Sequence, residues 1–163
     1  FALAAAKAGA AHVWGVDTSA AALELATKAA GLNGLSNVVF NKQDAEEVLH
    51  AAAGGHLPEK PDFILLDPPP LARSKKHLAQ ARKMYVKLNM LALRALPPGG
   101  CLATSSCSHH VSRSLFDEIL REAARKSGRQ AFVVEMRGQA KDHPVLVGMP
   151  ETAYLNFTLL RVL

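Results

Sequence analysis

The chain has 163 residues, 49% hydrophobic and 20% charged, with a formal net charge of +5. That length holds one domain with a proper core rather than two comfortable ones. No apolar run approaches the roughly 20 residues a membrane-spanning helix needs, and the N-terminus lacks the basic start of a signal peptide. Its first residues, Phe1 to Lys7, read as the middle of a helix, as though the chain begins inside a domain.

Taken in order, residues 1–10 form an alanine-rich helix ending at Gly9, followed by a strand from His12 to Asp17. Ser19 is the N-cap of the next helix, with Leu23, Leu25, Ala26 and Ala30 on its apolar side and Gly31 as its stop. Asn37 to Lys42 is a second strand, and Gln43-Asp44-Ala45 leads into a helix reaching about Ala53. Asp62-Phe63-Ile64-Leu65-Leu66-Asp67 then reads as a strand buried on both faces, as in a parallel sheet covered by helices. Pro68, Pro69 and Pro70 stop it, since proline neither donates to a ladder nor enters a helix interior. A long helix runs from about Ser74 to Leu96, with Leu78, Ala81, Tyr85, Leu88, Ala92 and Ala95 on its inner side and its lysines and arginines outward. Cys101 to Cys107 is the next strand, and Ser112 or Ser114 caps a helix with Leu115, Phe116, Ile119, Leu120 and Ala123 on one side. Two last strands, Ala131 to Met136 and Ala153 to Val162, close the chain as a hairpin-like edge.

Strands alternating with helices give a doubly wound parallel α/β sheet. Asp17, Asp44, Asp67 and Cys107 then end four successive strands and share the carboxyl rim where such sheets bind ligands. Asp17 is placed to accept the two ribose hydroxyls of an adenosine cofactor, or else to cap the following helix. Asp44 either accepts a hydrogen bond from an adenine amino group or caps its own helix. Asp67 followed by rigid prolines is a signal for nucleic-acid methylation, against the plainer reading of a strand-ending turn.

The two cysteines, on one strand at about 3.3 Å per residue, lie roughly 20 Å apart and out of disulfide reach. A reducing, cytoplasmic setting follows, and the spacing makes no zinc site. Cys101 reads as a small buried apolar residue. Cys107 sits among Ser105, Ser106, Ser108, His109 and His110 at the rim, where nearby Lys and Arg would lower its pKa and favour a nucleophilic thiolate. From Pro68 to Phe116 there is no Asp or Glu, while Arg73, Lys75, Lys76, Arg82, Lys83, Lys87, Arg94 and Arg113 give the segment +8 and leave the remainder at −3. Such segregation, beginning at the Asp67 loop, suits a polyphosphate partner.

Val16-Asp17-Thr18-Ser19, Leu32-Asn33-Gly34-Leu35, Leu66-Asp67-Pro68-Pro69, Tyr85 to Met90 with Leu91-Ala92, Gly99-Gly100, Ser106-Cys107-Ser108 and Asp142-His143-Pro144-Val145 occur in this order. The ordered set covers essentially the whole chain. It resembles the bacterial 23S ribosomal RNA cytosine-5 methyltransferases, S-adenosylmethionine-dependent enzymes of the large-subunit RNA that also carry an N-terminal PUA domain. The resemblance implies a Rossmann-like class I methyltransferase sheet, with residues 1–163 as one catalytic domain lacking the first strand, the glycine-rich loop and the PUA domain. It implies that Asp17 holds the ribose of S-adenosylmethionine, that Asp44 meets its adenine, and that Asp67, between cofactor and base, hydrogen-bonds the pyrimidine edge. Cys107 becomes the nucleophile that adds to C6 of cytosine, and His143 or Asp142 the base that takes the C5 proton. Pro68, Pro69, Arg73, Lys75 and Lys76 become RNA contacts. Ribosomal RNA is the implied partner, a homodimer is allowed, and no metal or membrane is required. Pro70 stands where amino-group methyltransferases carry a base-stacking aromatic, which favours carbon methylation. Two rivals remain: an exocyclic-amino methyltransferase acting on adenine N6 or guanine N2, with Cys107 structural, and a non-catalytic RNA-binding remnant.

Overall fold

The computed structural model describes residues 1–72 and 74–163, with the backbone alone at Pro150. In chain order the elements are α1 (Ala2–Lys7), β1 (Val13–Asp17), α2 (Ala20–Leu32), β2 (Val38–Lys42), α3 (Ala45–Ala53), β3 (Phe63–Leu66), α4 (Leu78–Ala95), β4 (Cys101–Ser106), α5 (Arg113–Ser127), β5 (Ala131–Arg137) and β6 (Asn156–Val162). A 3-10 turn, Lys75–His77, leads into α4, and another, Pro150–Thr152, precedes β6. The chain divides into two compact units, Phe1–Val48 and Leu49–Leu163.

In the first unit β1 and β2 are parallel, with Val13 opposite Val38 and Asp17 opposite Lys42. Gly15 lies opposite Phe40, whose ring crosses so closely that a Cβ at position 15 would stand 2.5 Å from it. Glycine is therefore the residue this pairing admits. Asn37 ties the start of β2 to the end of α1, its Nδ2 donating to the carbonyls of Ala6 and Ala10 at 3.1 and 2.6 Å. Ser19 caps α2 as expected, its Oγ accepting the Ala22 N–H. Gly31 does not end that helix. The helix continues to Leu32, and the left-handed turn falls at Gly34 (φ 66°). α1 likewise stops at Lys7, short of Gly9 (φ 98°).

In the second unit the strand order is β3-β4-β6-β5. β3 and β4 are parallel, but β6 runs antiparallel to both β4 and β5. The sheet is thus mixed, and the closing pair forms the expected hairpin-like edge, with β6 as the inner strand against β4 and β5 outermost. Burial explains the order: Asn156, Thr158, Leu160 and Val162 alternate along β6 as buried residues, whereas β5 is largely exposed and suits an edge. The core lies on one face of this sheet, where Leu66, Leu102, Leu160 and Val162 meet Tyr85, Leu88, Leu91 and Ala92 of α4 and Phe116, Ile119 and Ala123 of α5. The expected inner faces of both helices are the observed ones. β3 departs from expectation: Ile64 and Leu66 face the core, while Phe63 and Leu65 are 52% and 41% exposed. With the core cluster on one side of the sheet, alternation leaves the other two residues outward.

Candidate active site

The first unit carries two of the expected rim residues. Asp17 is the last residue of β1, and its Oδ1 accepts the Ser19 N–H at 2.7 Å, closing a tight turn into α2. Asp44 follows β2, and its Oδ1 accepts the N–H groups of Glu46 and Glu47 at 2.8 and 3.3 Å. Asp44 therefore caps α3, the plainer of its two sequence readings, while Asp17 closes the turn onto Ser19, itself the cap of α2. Among the described residues no hydrogen bond reaches either Oδ2, so each side chain, oriented through one oxygen, keeps the other to accept from a hydroxyl or an amino group. That donor-free, acceptor-only pair fits a ribose diol and an adenine amino group.

The second unit brings Asp67 and Cys107 together. They directly follow β3 and β4, which pair in parallel with Leu66 opposite Thr104, so both leave the sheet at its carboxyl end. Ser105, on β4, donates a short hydrogen bond from its hydroxyl to Asp67 Oδ1, which fixes the carboxylate across the two strand ends. Asp67 itself is exposed and Pro68 half-buried, at the start of a proline-stiffened loop. Cys107 is half-buried and free, flanked by Ser106 and Ser108, which are fully buried. Burial pushes its thiol above the ordinary range, and the neighbouring Asp67 carboxylate raises it further, against a smaller lowering by a backbone hydrogen bond. This reverses the expectation of a thiol lowered by cations. The charge nearest in effect is an anion from the adjacent strand.

The basic segment is only partly available to a partner. Arg82 pairs with Glu122 at 2.7 Å, Arg94 donates to the Lys126 carbonyl at 2.7 Å, and Arg113 reaches Asp117, the Phe157 carbonyl and Thr158 Oγ1. These three arginines bind α5 or β6 and act within the fold. Lys75, Lys76 and Lys83 stand exposed along the start of α4 and its preceding turn. Arg73, expected among the RNA contacts, lies outside the described residues. His143 and Asp142 pair with each other at 3.3 Å on an exposed loop, and no hydrogen bond joins either to Asp67 or Cys107. The contribution that sequence reasoning missed is the hydroxyl of Tyr85. Tyr85 is fully buried, and its OH accepts from Ser106 Oγ at 3.0 Å and meets Ser108 Oγ at 3.1 Å. The sequence reads Tyr85 as one of the inward residues of its helix, and only the serines around Cys107 hint at polar company. Among the described residues, no helix is long and apolar enough to cross a membrane, and no cluster of three His, Cys, Asp or Glu could hold a metal.

A family model described as a methyltransferase domain matches residues 1–147. Ribosomal RNA large subunit methyltransferase I of Aeromonas salmonicida is 42% identical over 99% of this chain, and that of Serratia proteamaculans 41% identical over all of it. The chain spans 41% of the length of each. Among solved structures, SMU.776 complexed with SAH superposes with a TM-score of 0.83 at 25% identity, covering 98% of this chain and 41% of that one. TrmN from Thermus thermophilus gives 0.65 at 26% identity, covering 99% and 40%. With its alternating α/β order and its mixed sheet, the chain belongs to the methyltransferase domain family and has the Rossmann-like class I fold of S-adenosylmethionine-dependent methyltransferases.

Proposed function

We propose that this chain is the catalytic part of an S-adenosylmethionine-dependent ribosomal RNA methyltransferase acting on C5 of a cytosine in the large-subunit RNA. The observation that carries this is the pairing of Asp67 and Cys107 at adjacent strand ends, with the carboxylate oriented by Ser105. The named relatives, ribosomal RNA large subunit methyltransferases I, supply the substrate class. The Oδ2 atoms of Asp17 and Asp44 hold the ribose and adenine of the cofactor, which when bound supplies an electrophilic methyl group.

Cytosine C5 is a weak nucleophile in the resting ring, and Cys107 changes that. Its sulfur adds to C6, and the C5–C6 π pair becomes electron density at C5 that takes up the methyl group. Removal of the C5 proton then restores the double bond and expels the thiolate. Asp67 accepts a hydrogen bond from the cytosine amino group and so fixes the face of the ring that Cys107 meets. Because the resting thiol is neutral, its proton must leave before attack, and the Asp67 carboxylate is the adjacent acceptor. Asp142 and His143, paired on their loop, stand as the acceptor of the C5 proton. Pro68 and Pro69 wall the base, and Lys75 and Lys76 meet phosphates beside it, with Arg73 on the same stretch.

The raised thiol favours one second reading, an exocyclic-amino methyltransferase in which Asp67-Pro68-Pro69 binds the amino group and Cys107 is structural. Methylation of 23S RNA by the full chain and its Cys107→Ala variant separates the two. The leading reading expects 5-methylcytidine from the native protein and none from the variant. Methyl transfer to an exocyclic nitrogen, retained in Cys107→Ala, overturns it.

A further inference from the structure

Cys107 lies on a short span whose two neighbours are both tied to one buried group. Ser106 Oγ donates to the Tyr85 hydroxyl at 3.0 Å, and the Tyr85 hydroxyl lies 3.1 Å from Ser108 Oγ. Since Tyr85 accepts from Ser106, its own proton is directed to Ser108. The Ser108 N–H returns to Ser106 Oγ at 3.4 Å, which closes the ring across Cys107. Ser108 Oγ also accepts the Ala72 N–H at 3.2 Å. Ala72 belongs to the loop that follows Asp67 and its three prolines.

One phenol therefore joins three pieces of chain: the middle of α4, the end of β4 and the loop leaving β3. Tyr85, Ser106 and Ser108 are all fully buried, and Ala72 is 3% exposed, so water does not compete for these bonds. The ring of Tyr85 is held separately, edge-on to Phe116 at 6.3 Å between centroids, and Asn89 Nδ2 caps its carbonyl at 2.8 Å. Packing sets where the ring sits, and the hydroxyl sets what the two loops do.

We propose that Tyr85, acting through Ser106 and Ser108, is a positioning residue that holds the Cys107 sulfur in register with the Asp67 loop. The proposal rests on Cys107 being the nucleophile. It assigns to Tyr85 no contact with the base, and it gives the phenol oxygen a role on the buried face of α4. A phenylalanine would fill the same volume but leave Ser106 Oγ without its acceptor and Ser108 Oγ without its phenol partner, loosening the Cys107 span at both of its neighbours while the Ser108–Ala72 bond remains. A displacement of about 1 Å at a reacting atom is enough to cost roughly 100-fold in rate.

The test compares Tyr85→Phe and Ser108→Ala with the native full chain in methylation of 23S RNA, with Cys107→Ala run in parallel. Ser108→Ala guards against a folding failure, since it removes one small hydroxyl and keeps Tyr85. The expected result is a fall in kcat of roughly 10- to 100-fold in both variants, with KM for RNA within about twofold of native. Cys107 alkylation should stay accessible in both. A kcat per folded molecule equal to native in both variants, even with a lowered melting temperature, overturns the proposal and leaves Tyr85 a packing residue. Methylation that persists in Cys107→Ala marks instead the failure of the cysteine reading on which it rests.

Discussion

At the scale of single residues, the account turns on a thiol and the carboxylate that acts on it. Burial is the larger cause of the raised Cys107 pKa and the Asp67 charge the second. Asp67→Asn should therefore lower the midpoint of Cys107 alkylation with pH without bringing it fully to the ordinary value near about 8.5. Iodoacetamide rates across alkaline pH measure this, and an unmoved midpoint would show that the carboxylate does not act on the sulfur. The linkage sign follows. A folded-state thiol pKa above its unfolded value contributes stability that is complete below the unfolded pKa and lost as pH rises through the folded one. Of this site, Asp67 and Cys107 were legible from strand ends alone, because a parallel sheet places its strand termini on one rim. The direction of the thiol shift was not, since it depends on a through-space neighbour 40 positions back in the chain. Nor was the Tyr85 hydroxyl: helical periodicity reports which side of a helix is inward, not what a phenol oxygen finds there.

At the scale of elements, helix caps and one glycine carry testable weight. Ser112, not Ser114, caps α5, its Oγ accepting the Leu115 N–H at 3.2 Å. Ser112→Ala should cost about 1 kcal/mol in urea unfolding. Gly100 precedes β4 at a tighter place: an added Cβ would lie 2.9 Å from the Pro97 carbonyl and 3.1 Å from that of Asp62. Backbone atoms cannot give way as side chains do, so Gly100→Ala should destabilise by about 1–3 kcal/mol. A loss within error would show that the Pro97–Gly100 turn relaxes freely. Element types and inner faces were readable because long apolar periodicities such as that of α4 have few alternatives. The insertion of β6 between β4 and β5 was not, since a strand's pattern shows that it is buried and not which neighbour it pairs with. Gly31 misled for a local reason: the turn after α2 needs one left-handed residue, and Gly34 supplies it three positions later.

At the scale of the whole molecule, the candidate residues divide between the two compact units. The proposed cofactor carboxylates lie in Phe1–Val48, and the proposed nucleophile with its carboxylate in Leu49–Leu163. The acid-free segment proved to be two things at once. Its arginines 82, 94 and 113 are anchors for α5 and β6, answered by Asp117, Glu122 and backbone carbonyls, while Lys75, Lys76 and Lys83 remain outward. Charge counting in the sequence could not separate them, because the acidic partners lie outside the segment. Lys75→Ala and Lys76→Ala should each weaken RNA binding and reduce the slope of log affinity against log salt by about 0.7 to 0.9. Arg94→Ala should leave that slope unchanged and lower thermal stability. Equal slopes for all three variants would contradict this division of the basic residues.

The central claim is a covalent bond between Cys107 and a pyrimidine, and one measurement reaches it directly. The full chain is incubated with S-adenosylmethionine and 23S RNA carrying 5-fluorocytidine, then run on a denaturing gel. Fluorine at C5 cannot leave as a proton does, so the sulfur stays attached once the methyl group is transferred. The account expects a denaturant-resistant protein–RNA adduct that vanishes in Cys107→Ala. Absence of that adduct while unmodified RNA is still methylated would contradict it, and would leave Cys107 a structural residue beside an amino-group site.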